Sequence, residues 1–144
     1  DGGSIWERTN ISGAPVRALM CADDIYWAGT DGNGIWRSTD GQRWDRAGTN
    51  EEDAAIYDLA VSDGRIIAAA GHGILVGDGA GRWRRTGPRM LAAAIGTHPS
   101  DTGHWLAGSA PGGLWRTDDD GVTWRQVEGF KGALSILAPG GTQA

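Results

Sequence analysis

Tryptophan recurs in this chain at a nearly constant interval: Trp6, Trp44, Trp83 and Trp124 lie 38, 39 and 41 residues apart. Each one closes a short run containing Asp and Gly, so every copy of the repeated unit ends in a turn. A chain built this way must stack copies of one small unit, because a single copy cannot cover its own apolar faces. The composition follows the same constraint. The 144 residues include 25 glycines, which turns require, and eight tryptophans against one phenylalanine, which places Trp at a recurring architectural position.

Between the turns the residues alternate as short strands do. In the first repeat, residues 16–21 form an apolar run, Asp23-Asp24 a turn, residues 25–29 the returning strand, 35–38 a third strand and 44–47 a fourth. The same order returns at 56–61, 65–70, 73–76 and 83–86, and again at 91–96, 104–108, 113–117 and 124–127. A period near forty residues is that of a four-stranded propeller blade. The expected fold is therefore all-β. It is a partial β-propeller of three four-stranded antiparallel blades, at about 15–47, 55–86 and 91–127. An outer strand at 5–8 flanks them in front and an inner-type strand at 133–138 behind. Such an incomplete ring predicts self-association, or further blades, to close it.

The most complete turn reads Thr117-x-Asp119-x-Gly121-x-Thr123-Trp124. It resembles the Asp-box of bacterial neuraminidase repeats at every position of that motif. Weaker copies stand at Ser38, Asp40 and Trp44, one residue shorter between Asp and Trp, and at Asp78 and Trp83, with Val76 in place of the leading Ser or Thr. A fourth, Asp1 to Trp6, starts beyond the leading position. On these motifs the chain resembles the Asp-box β-propeller family, which includes sialidases, family 74 xyloglucanases, sortilin-type receptor ectodomains and photosystem assembly factors. The resemblance implies a structural motif: the carboxylate accepts backbone N–H groups of its own turn, Gly121 takes a positive φ, and Trp124 packs over the turn. It also implies a secreted or periplasmic location. The motif lies at the blade periphery in that family, so it leaves function to the residues of the mouth.

Those residues are few. A net charge of −5 opposes general nucleic-acid binding, and no apolar run is long enough for membrane insertion. Cys21 has no partner for a disulfide and, between Met20 and Ala22, reads as a buried small hydrophobe. A sialidase-like site needs an arginine triad with a Tyr–Glu pair, yet Arg17 is the one arginine placed on an inner strand. Tyr57 adjoins Asp58, but neighbours on a strand point to opposite faces. Arg17 and Asp58 are the candidate binding residues, the latter being an acid on an otherwise apolar run. The run Asp118-Asp119-Asp120 resembles a cation cluster but reads as turn chemistry, and no metal or cofactor is expected. Trp27, Trp36, Trp105 and Trp115 are read as matching blade-packing positions in the first and third repeats, with Ile67 and Leu75 at those places in the second. Two functions are compatible with this set. One is a non-catalytic scaffold that binds a protein or carbohydrate partner at the propeller mouth. The other is a fragment of a glycoside hydrolase, sialidase-like or xyloglucanase-like.

Overall fold

The computed structural model describes residues 2–48 and 53–129. Among them are twelve strands in three four-stranded antiparallel sheets, with no helix. Sheet one comprises β1 (Val16–Ala22), β2 (Ile25–Thr30), β3 (Ile35–Ser38) and β4 (Asp45–Arg46). Sheet two comprises β5 (Ile56–Ser62), β6 (Arg65–Ala70), β7 (Gly73–Gly77) and β8 (Trp83–Thr86). Sheet three comprises β9 (Leu91–Thr97), β10 (Trp105–Ala110), β11 (Leu114–Thr117) and β12 (Arg125–Gln126). Strands in each sheet follow chain order, because short turns can join only antiparallel neighbours. The β1–β2 and β5–β6 turns are built by Asp23, Asp24 and Asp63, all at positive φ, a conformation that Asp tolerates.

The sheets stack in sequence, with β5 between β1 and β9. Sheet two is thus covered on both faces, which explains why β6 and β7 are buried almost throughout instead of alternating. Leu59, Ile66, Leu75 and Trp83 pack toward sheet one, against Ile35 and the partly buried Ala18, Met20 and Trp27. On the other side Ala60, Ile67, Ile74 and Val76 pack against Ile95, Trp105 and Ala107 of sheet three. Each large aliphatic side chain fully buried in these layers stabilises the stack by about 1.5–3 kcal/mol.

Register decides which residues correspond. In sheet one Leu19 pairs with Ala28 and Ala28 with Trp36. The equivalent rows are Leu59, Ala68 and Leu75, and then Ile95, Ala107 and Trp115. Two sequence alignments are corrected by these rows. Trp27 pairs with Arg37, whereas Trp105 pairs with Thr117, so Trp105 corresponds to Tyr26, and Trp27 to Ile67 and Leu106. The offset of one residue puts the two indoles on opposite faces: Trp27 looks toward sheet two from before it, Trp105 from behind it. In the second hairpin the place of Ser38 and Thr117 is taken by Gly77, not Val76, since Gly77 pairs with Trp83 and the indole lies where a Cβ on Gly77 would reach it at 3.1 Å.

Cys21, read as buried, is exposed. It shares a face of sheet one with Leu19 and Tyr26, and no other sheet covers that face among the described residues. Residues 5–8, expected as an outer strand, join none of the three sheets, and Trp6 is 86% exposed where Trp44 and Trp83 are buried. Asp1 and the expected strand at 133–138 lie outside the described residues.

Candidate functional site

The turns that carry the Asp and Trp repeats show what these residues do. Asp119 Oδ1 accepts the Thr123 N–H at 2.8 Å and the Thr117 hydroxyl at 2.7 Å, and Oδ2 accepts the Thr123 hydroxyl at 2.6 Å. These donors, led by the Thr123 hydroxyl, hold the carboxyl down at about 2. Gly121 follows at φ 81°, leaving its carbonyl to accept the Trp124 indole N–H at 3.1 Å. The shorter first turn reuses the scheme: Asp40 Oδ1 accepts N–H groups of Gln42 and Arg43, at 2.9 and 3.0 Å, and Ser38 donates to it. The backbone donors, Arg43 first, lower the Asp40 pKa as well. Asp78 accepts the N–H groups of Ala80 and Arg82, at 2.8 and 3.1 Å, and Gly77 brings no hydroxyl to add to them.

The tryptophans of these turns also tie successive sheets. The Trp83 indole donates to the Ala47 carbonyl of sheet one at 3.1 Å. Trp124 meets Thr86 of sheet two, whose hydroxyl donates to the Gly121 carbonyl. The Trp44 indole donates only within its own turn, to Gly41 O at 3.1 Å, and it is the Trp44 main chain that is tied to an earlier segment, through Asn10 at 2.7 and 2.9 Å. Trp6 has no such setting.

A second cluster lies where β1, β5 and β9 begin. Each strand carries a bulge there, at Arg17, Tyr57 and Ala93, seen as register breaks on either side of those residues. The loop after β2 is tied in by Asp31 N to Pro15 O at 2.9 Å and Gly34 N to Ala54 O at 3.0 Å, which joins sheet one to the start of sheet two. Arg17 reaches Asp31 Oδ2 at 2.8 Å, and its guanidinium carbon stands 5.5 Å from the centre of the Tyr57 ring. The Asp31 contact raises the Arg17 pKa and keeps the cation charged. Half-exposed, this pair adds little stability. Its effect is to aim a guanidinium, stacked on a phenol, toward solvent with donors to spare.

Asp58 does not join that cluster. Its Oδ1 accepts the Leu59 N–H at 2.9 Å and its Oδ2 the Ile95 N–H of β9 at 3.0 Å, so the acid clasps sheet two to sheet three. Sequence reasoning had no signal for this, since the donor lies 37 residues away. Asp31, the partner of Arg17, lies in the loop between β2 and β3, where no residue pattern marks it as a site residue. The three consecutive acids also divide. Asp118 binds Arg116 at 2.8 Å, Arg125 at 3.1 Å and His104 at 2.8 Å, with Arg116 foremost in lowering its pKa. Asp119 serves its own turn, and Asp120 bridges to Arg65 of sheet two at 2.6 Å. Among the described residues no group of three His, Cys, Asp or Glu side chains is arranged to hold a metal ion.

No family model matches the chain, and no curated protein matches it significantly. Solved structures do. An ancestral GH74 enzyme superposes with a TM-score of 0.68 at 18% identity, over 87% of this chain and 20% of that one. The GH74 xyloglucanase from Xanthomonas campestris gives 0.65 at 23%, over 82% and 21%. YCF48 bound to D1 peptide gives 0.63 at 16%, over 78% and 40%. This chain thus spans about a fifth of each GH74 enzyme and two fifths of YCF48. At such identities the likeness is one of fold, and with three consecutive four-stranded sheets it makes the chain part of a β-propeller.

Proposed function

We propose that this chain is a non-catalytic run of Asp-box blades whose mouth end binds a protein or glycan partner. The observation that carries this reading is the Arg17 head: a charged, accessible guanidinium held by Asp31 over the Tyr57 ring. That arrangement recognises a carboxylate or a polar planar group by directed hydrogen bonds. It does not perform hydrolysis, which needs two carboxyl groups facing each other or a phenol beside a base. Among the described residues, the one inner-strand acid, Asp58, is already engaged by two backbone N–H groups. The hydrogen-bonded turns around Asp40, Asp78 and Asp119 support the Asp-box reading, because there the carboxylates hold the turns themselves.

The alternative is a piece of a glycoside hydrolase, favoured by the superposition on GH74 enzymes. YCF48, of comparable likeness, is seen with a peptide. Two assays on the intact protein separate the readings. The scaffold predicts no turnover of a fluorogenic glycoside panel, together with pull-down of a defined partner that is lost in Arg17→Ala. Glycoside turnover, or capture indifferent to Arg17→Ala, would refute it.

A further inference from the structure

The first and third sheets each leave one face without a neighbouring sheet among the described residues. Register shows what those faces are made to meet. Leu19, Leu59 and Ile95 occupy one position in the three sheets. Leu59 is 8% exposed and Ile95 6%, each covered by the preceding sheet, while Leu19 is 71% exposed. Tyr26 and Trp105 repeat the contrast at 45% and 1%. The free face of sheet one is therefore an interface face with apolar residues at the positions that form the core elsewhere in the stack.

The free face of sheet three has the complementary form. There Gly96, Leu106 and Arg116 stand in the register of Met20, Trp27 and Arg37, the residues with which sheet one receives sheet two. Gly96, Leu106 and Arg116, with His98 and His104, line a hollow of about 290 Å³. Between sheets one and two the corresponding gap is shared by Trp27 and Arg37 on one side and Ile66 on the other. The residue in register with Ile66 is Tyr26.

We propose that two copies of this chain associate head to tail, sheet three of each copy covering the Leu19 and Tyr26 face of sheet one of the other, and so close a ring. The contact repeats the one already made twice within the chain, so it needs no new kind of interface. The described residues of two copies bring six sheets, within the range of four to eight blades in propellers. Heterologous contacts that close leave no face bare. This inference does not depend on what the mouth binds.

The test is solution mass by light scattering and sedimentation across the micromolar range, with circular dichroism to confirm folding. The wild-type chain should show twice its 15.1 kDa. Leu19→Asp and Leu106→Asp should each raise the dimer dissociation constant by about a hundredfold or more, since each puts a charge into both contacts of the ring. Mixing the two variants should restore a dimer, because one contact then joins two unaltered faces. Val122→Asp, equally exposed but on the third hairpin turn, should leave the mass unchanged. A monomeric wild type would overturn the proposal. Dimers of Leu106→Asp alone would indicate sheet one against sheet one and overturn it, and so would a mixture of folded variants that stays monomeric.

Discussion

Gly29→Ala tests the stacking of sheet one on sheet two where the lack of a side chain lets Ile56 come close. A Cβ built on Gly29 would lie 2.4 Å from Ile56 Cγ2 and 2.9 Å from Ile56 Cβ, against the roughly 3.5–4.0 Å of an ordinary carbon contact. Ile56 is fully buried and cannot swing aside, and both residues sit in hydrogen-bonded strands, so β2 and β5 must move apart by about 1 Å. Gly29 does not occupy the left-handed region, so the penalty is purely one of space. Overpacking of this kind costs about 1–3 kcal/mol. For a chain of this length that is a fall in melting temperature of about 4–12 °C, read by calorimetry or circular dichroism. Gly71→Ala is the matched control: its Cβ would meet only Ala55 Cβ at 3.8 Å and Tyr57 Cε2 at 3.9 Å, ordinary contacts, and stability should move by less than about 0.5 kcal/mol. In an Ile56→Ala background the cost of Gly29→Ala should shrink, since the nearest atom is gone. If Gly29→Ala melts with the wild type, or if Gly71→Ala loses as much, the sheets do not approach as described.

Acid should weaken the fold through the turns. The Asp119 pKa falls from the ordinary 3.8 to about 2 in the folded chain, so the native state favours the carboxylate. That stability is complete above the unfolded value and is lost as pH falls toward 2. Asp40, Asp78 and Asp118 are shifted the same way. Melting temperature should therefore drop between about pH 4 and pH 2, and Asp119→Asn should flatten the drop; a variant with the wild-type slope would refute the assignment. Asp58→Ala leaves the Ile95 N–H without its acceptor and should cost about 1–3 kcal/mol in chemical denaturation, with partner capture unaffected. Lost capture at unchanged stability would return Asp58 to the binding site.

Local chemistry was legible in the residues themselves. The turn at Thr117–Trp124 has its donors and acceptors within eight consecutive positions, so the hydroxyls, the carboxylate and the glycine that shape it can be read in a row. Strand and turn rhythm follow for the same reason. The candidate site was less legible. Arg17 stood out as a cation on an apolar strand, but its stack on Tyr57 crosses two sheets and depends on a bulge in each inner strand, for which no residue pattern gives notice. Asp58 stood out too, and its partner turned out to be an amide of another sheet.

What the amino acids determined unaided is the repeating four-stranded meander, because Asp, Gly, Ser and Thr build its turns from contacts a few residues long. Only the stacking of the sheets decided which face each side chain serves. Trp27 and Trp105 look equivalent in the chain, yet they differ by one position in register, and one position on a strand turns a side chain from one neighbouring sheet to the other. The same stacking buries Leu59 and Ile95 and leaves Leu19 open, because burial depends on the sheet that stands opposite and not on the residue.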